Sequence, residues 1–160
     1  MNDRYRDVQI IALTKEDSQL LLNLLKSLKP EYMRYFHPFH FDHKTVFELL
    51  DSKVKDKYFG IKVNGKLGGF YMLRGFDKGY EIPSYGVIID ENYSGCGLAM
   101  LTLNHMYTFC RVNKIKKVML KVHPDNVRAK KIYIKAGFVE TGVDEKNGHI
   151  VFHKKIELCK

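Results

Sequence analysis

Three apolar runs follow one another between residues 58 and 89, and the first two are too close together for a helix to separate them. Tyr58–Val63 alternates as a strand does, Asn64-Gly65 is a strong two-residue hairpin signal, and Leu67–Leu73 returns. The third run, Ser84–Ile89, places Tyr85, Val87 and Ile89 on one face. Strands joined in this way exclude a doubly wound nucleotide fold, in which strands and helices alternate strictly.

The flanking sequence supplies helices. Val8–Leu13 reads as a strand, and Thr14-Lys15-Glu16-Asp17 resembles a capping box that opens a helix. Leu21, Leu24, Leu25 and Leu28 then recur at helical spacing until Pro30 stops them. Residues 31–43 carry Tyr32, Tyr35, Phe36, His37, Phe39, His40 and Phe41, which read as a short helix or turn plus loop. A helix after Asp42 turns Val46, Phe47, Leu49 and Leu50 inward. Further on, Gly95-Cys96-Gly97 opens a helix to about Val112, with Met100, Leu103, Tyr107 and Cys110 on one stripe. Ile115–Val122 is a strand, Val127–Ala136 a helix capped by Gly137, and two strands lie near 138–143 and 149–157. The order β-α-α-β-β-β-α-β-α-β-β describes a single mixed α/β domain over residues 1–160.

Composition narrows the setting. A chain of 160 residues fits one domain with a substantial core. No apolar run approaches the roughly 20 residues of a bilayer crossing, and the opening stretch, Met1–Gln9, is polar. Cys96, Cys110 and Cys159 form no C-x-x-C pair, so the expectation is a soluble cytoplasmic protein without a disulfide framework. The net charge of +9 suits nucleic acid, an anionic membrane surface or a phosphate-bearing ligand, or is simply a solvated basic surface. Its lysines are scattered rather than massed, which argues against nucleic acid.

Two segments carry chemistry. In Val87–Ala99 a strand enters a helix through Gly95 and Gly97. Amides of a first helical turn have no helical acceptors and sit at the positive end of the helix dipole, so they bind phosphate. A tight turn that needs glycine for its geometry reads the same way. In His123–Phe138, Ala129, Ile132, Tyr133 and Ala136 share a helical face, and Asn126 stands at the helix start, where it is an N-cap candidate. Tyr133 therefore points inward, either into the core or into a cleft.

The spacing of these two segments resembles the Gcn5-related N-acetyltransferase (GNAT) superfamily. The family's Arg/Gln-x-x-Gly-x-Gly/Ala loop corresponds to Ser94-Gly95-Cys96-Gly97-Leu98-Ala99, and its Asn-x-x-Ala-x-x-x-Tyr-x-x-x-Gly-Phe pattern to Asn126, Ala129, Tyr133, Gly137 and Phe138. Ser94 departs from the usual Arg or Gln, which puts cofactor affinity in question. The resemblance implies a mostly antiparallel twisted sheet of about seven strands, splayed at strands 4 and 5 and flanked by about four helices. Residues 1–75 would form the acceptor side, 80–138 the acetyl-CoA-binding core and 139–160 the C-terminal strands.

It also implies acetyl-CoA as acyl donor and no metal. The diphosphate would lie on the amides of Gly95, Cys96, Gly97, Leu98 and Ala99 beside Ser94, and the pantetheine arm along Val87, Ile88 and Ile89. Asn126 and Ala129 would contact that arm, and Arg128, Lys130 and Lys131 would neighbour the nucleotide end. Tyr133 would be the general acid toward the leaving thiolate. Glu81 is the favoured base, with Asp77, Asp90 and His123 as alternatives. The expected acceptor is a primary amine of a small molecule, with an amino sugar or nucleotide-linked amino sugar favoured by the aromatic 32–41 segment. A protein lysine or N-terminal acetyltransferase, or a non-catalytic acyl-CoA or nucleic-acid-binding module, is the alternative. Monomer and homodimer both remain open.

Overall fold

The computed structural model describes residues 6–160, so Met1–Tyr5 of the polar opening stretch lie outside the described residues. Seven strands make one sheet in the order β1-β2-β3-β4-β5-β7-β6. They are β1 (Val8–Ala12), β2 (Lys57–Val63), β3 (Lys66–Arg74), β4 (Ser84–Ile89), β5 (Lys117–Val122), β6 (Val139–Val143) and β7 (Ile150–Lys155). Neighbours run antiparallel except β4 and β5, which are parallel and register only where Ser84 faces Met119. The β2–β3 turn forms as the sequence requires, with Asn64 at φ 49° and Gly65 at φ 79°.

Helices α1 (Ser18–Ser27), α2 (Pro30–Met33) and α3 (His43–Ser52) precede β2, while α4 (Leu98–Val112) and α5 (Val127–Lys135) follow β4 and β5. Both faces of the central sheet are covered. Phe70, Met72, Tyr58 and Ile88 pack with Leu21, Leu24, Leu25 and Leu28 and with Val46 and Leu50. Their strand neighbours Tyr71, Leu73, Phe59 and Tyr85 pack with Leu103, Met106 and Cys110 of α4 and with Val118 and Leu120. This two-sided burial explains why β3 is apolar at nearly every position rather than at every second one.

Local signals account for the helix starts. Asp17 accepts from the Thr14 amide at 2.9 Å, closing the capping box around a short 3-10 turn from which α1 continues. Asp42 accepts from the Thr45 amide at 2.8 Å and caps α3. Among the described residues there are five α-helices rather than about four, because Pro30 begins a one-turn helix as well as following α1. Proline suits a first helical position, where its missing N–H has no acceptor to lose. The stripe on α4 also differs from expectation. Thr102 and Met106 are buried with Leu103 and Cys110, whereas Met100 is 37% exposed, because the first turn of α4 overhangs a cleft. Phe47 on α3 is likewise 37% exposed. Among the described residues, no helix is long and apolar enough to cross a membrane.

Phe70 has no exposed surface and meets Phe36 edge-on at 5.8 Å between ring centroids. Phe70→Ala is expected to cost about 3–5 kcal/mol of stability, against at most about 1 kcal/mol for Phe47→Ala, as read from denaturant midpoints at constant m-value.

Candidate active site

The loop between β4 and α4 is held at both ends. Asp90 accepts from the Asn92 amide at 2.9 Å, and Leu98, buried among Ile61, Val63 and Ile89, pins the start of α4 to the sheet. Between them Gly95 and Gly97 adopt left-handed φ values of 79° and 86°, and open space faces both where a side chain would project. The amide of Cys96 donates to the Tyr93 carbonyl at 3.2 Å, so this member of the expected amide set is already committed. The first helix-closing bond here runs from the Leu101 amide to the Gly97 carbonyl, leaving the amides of Leu98 and Ala99 without helical acceptors.

Sequence reasoning missed the feature that closes this loop. Arg128, from the first turn of α5, donates from Nη2 to Ser94 Oγ at 2.7 Å. A guanidinium thus stands beside the loop position where the family pattern has its own basic or amide side chain. No local signal links residues so far apart in the chain; only the folded sheet does, by setting the loop after β4 and the start of α5 on one cleft.

Where β4 and β5 diverge, a cleft of about 570 Å³ opens. The Pro83 carbonyl faces β5, accepting from the Met119 amide at 3.0 Å, while the Asp90 amide donates across β3 to Gly68 at 2.8 Å. Polar groups of successive strand residues point to opposite neighbours, so those of Tyr85, Val87 and Ile89 face the gap. Tyr32 of α2 donates to the Ile89 carbonyl at 2.5 Å, which leaves Val87 as the unpaired stretch.

Val87, Ile88, Ile89, Ser94, Gly95, Gly97, Leu98, Ala99, Asn126, Arg128, Ala129 and Tyr133 all line this cleft, as does Tyr93. Cys96, Lys130 and Lys131 do not line it. Asn126 uses Oδ1 to cap α5 through the Ala129 amide at 3.3 Å, which leaves its Nδ2 hydrogens free to donate. Tyr133 stands edge-on to Tyr85 at 6.1 Å. Burial pushes its phenol well above the ordinary tyrosine range, so it keeps its proton at neutral pH. Its hydroxyl makes no protein hydrogen bond among the described residues and is not sealed in the core.

A second, wider cavity of about 1070 Å³ lies on the other side of β4 and meets the first at Tyr35, Phe36, Tyr85, Gly86, Lys121 and His123. Its walls come from both sides of residue 75, including Lys78–Ile82 and His149. The aromatic segment is divided between two jobs. Phe36, Phe39 and Phe41 pack against the core around Phe70, while Tyr35 stacks on His123 at 4.7 Å between centroids.

The four candidate bases separate by their commitments. Asp77 accepts from the amides of Val54, Lys55 and Asp56, which together hold its carboxyl below the usual range. Asp90 caps the loop. His123 Nδ1 accepts from the Asp125 amide at 3.1 Å, placing the ring proton on Nε2. Glu81 is exposed on the wall of the wide cavity with no such bond.

The description "Acetyltransferase (GNAT) family" belongs to the family model that matches residues 21–138. The chain belongs to that family. It is an acetyl-CoA-dependent N-acetyltransferase, and it shares the family's fold with many solved structures. The GNAT domain of S. lividans PAT superposes with a TM-score of 0.80 at 16% identity, covering 93% of this chain and 90% of that one. The PaiA N-acetyltransferase of Thermoplasma acidophilum, solved with coenzyme A, gives 0.75 at 17% identity over 93% and 99%. The ribosomal-protein-S18-alanine N-acetyltransferase of Escherichia coli gives 0.71 at 18% identity over 96% and 97%. No curated protein sequence matches.

The tyrosines around the site set a pH limit. Burial raises the phenol of Tyr58 from 10.0 to about 12, and those of Tyr71, Tyr85 and Tyr133 in the same direction. A group whose folded value is raised contributes stability that is full below its unfolded value and lost as pH climbs toward the folded one. Denaturant midpoints are expected to hold steady up to about pH 9.5 and to fall between about pH 10 and 12.

Proposed function

We propose that this enzyme moves the acetyl group of acetyl-CoA onto a primary amine of a small molecule. The observation carrying this reading is that the two cavities meet at Gly86, beside the unpaired backbone of Val87. The wide cavity, at about 1070 Å³, is at the upper end of the roughly 300–1,000 Å³ typical of small-ligand sites. Tyr80, 65% exposed, offers a ring there for stacking, which favours an amino sugar or a nucleotide-linked amino sugar.

Acetyl-CoA supplies an activated thioester when bound. The chain's part is to hold it and manage charge and protons. The amides of Gly95, Gly97, Leu98 and Ala99 bind diphosphate oxygens, with Ser94 and Arg128 completing the rim. Val87 and the Asn126 Nδ2 hydrogens position the pantetheine amides. An N–H of the open strand stabilises negative charge that develops on the acyl oxygen. Tyr133 keeps its proton until a thiolate needs it. Glu81 accepts the proton of the incoming amine, either directly or through water. The other acid on that wall, Asp56, is buried and accepts from the Gly75 and Asp77 amides.

In a thiol-release assay with acetyl-CoA, Tyr133→Phe is expected to lower kcat by about 10²–10⁴ while calorimetric affinity for CoA changes little. An unchanged kcat removes Tyr133 from the mechanism. Arg128→Ala is expected to weaken CoA binding about tenfold, the effect of losing a charge-assisted hydrogen bond. Wild-type protein that gives no calorimetric heat with CoA would overturn the donor assignment altogether.

A further inference from the structure

The wall of the wide cavity carries more positive than negative charge. Arg34, Arg74 and Lys78 stand on its wall, and none has a carboxylate within ion-pair distance among the described residues. Lys121 does not add to them, because Asp144 pairs with it at 2.7 Å. On the acidic side stand two carboxylates, Asp56, which keeps its charge while the Gly75 and Asp77 amides donate to it, and exposed Glu81, so the cations outnumber the acids by one.

Arg74 is the fixed member of the set. It ends β3 half-buried, donates from Nη1 to the Pro38 carbonyl at 3.2 Å, and lies 5.8 Å over the Phe39 ring. A guanidinium carries five N–H donors in a rigid fork. The Pro38 carbonyl and the hydroxyl of buried Tyr58 engage part of that fork and leave its remaining donors unused. A cation held in place without a counter-ion is an anion receptor. Lys78 lies in the short turn after β3, at the same end of the cavity wall.

The two ends of the cavity differ. Arg74 and Lys78 line the wide cavity alone, whereas Arg34 and Tyr35 also line the donor cleft, and Glu81 lies on the segment that leads from Lys78 to Gly86 at the neck. We infer that the acceptor is an anionic amine, whose phosphate or carboxylate is held by Arg74 and Lys78 while its amine points to the neck at Gly86. This inference rests on the acetyl-transfer reading and specifies its substrate class. A polycation such as spermidine would meet a net like charge there, and the chain's net charge of +9 adds to that repulsion.

The test uses the full chain saturated with acetyl-CoA and acceptor pairs that differ in one anionic group. These are glucosamine 6-phosphate against glucosamine, and lysine against cadaverine, with spermidine and an acidic peptide added. The anionic member of at least one pair should show about tenfold or higher kcat/KM, through KM, and the pair that responds tells phosphate from carboxylate. Arg74→Gln and, as a surface variant that cannot disturb the Pro38 contact, Lys78→Gln should each shrink that ratio several-fold with CoA affinity intact. Calorimetry of glucosamine 6-phosphate and lysine against the CoA-saturated protein gives a readout without turnover. Equal or better use of glucosamine, cadaverine or spermidine overturns the inference. So does preference for the acidic peptide, or the absence of both turnover and binding for the anionic members. In each case retained CoA binding leaves the donor assignment standing, and loss of CoA binding removes that assignment instead.

Discussion

Past Ser84 and Met119, β4 and β5 share a sheet but no longer a ladder. A backbone polar group cut off from both water and a partner costs on the order of 1–3 kcal/mol, so such a gap persists only where solvent, a side chain or a ligand completes it. Much of the surrounding structure keeps the gap from closing. Leu98 ties the start of α4 to the end of β4, and Tyr32 occupies the Ile89 carbonyl from the other side. β5 is paired along its opposite edge with β7, from Lys117 against Lys155 to Val122 against Ile150. With both strands anchored on their outer sides, the space between them is left as a bed for an extended chain bearing amides of its own.

Features set by neighbours in sequence were readable without coordinates. The Asn64-Gly65 turn, the bounds of β4, the start of α3 after Asp42 and the glycine turn before α4 each follow from a few adjacent residues. Features set by packing were not. The bond from Arg128 to Ser94 joins two helix starts that only the folded sheet brings together. His149 reaches the cavity because β7 lies against β5, where it meets His123 at 5.5 Å between rings. The spacing of Met100 fits the apolar stripe, yet helical periodicity does not show where a helix runs past the sheet it packs on.

The same distinction applies to charge. A total of +9 says little by itself, because most of the lysines sit on solvated surface. What matters locally is which cations lack a partner. Lys121 and Asp144 neutralise one another, and Lys15 pairs with Asp51 at 3.2 Å. Arg74 has a carbonyl and a ring to hold it still and no carboxylate. Surface ion pairs contribute little to stability, but they determine where the remaining field is directed.

Strand β7 sits between β5 and β6 although it follows both in the chain. β5 and β6 therefore have no shared neighbour until Ile150–Lys155 docks between them. Without that strand the sheet would show two unpaired edges, one of them bearing the exposed valines of β6, Val139 and Val143. The acetyl-transfer half of the sheet is thus locked by one strand, and detachment of Ile150–Lys155 would free the edges of β5 and β6 together.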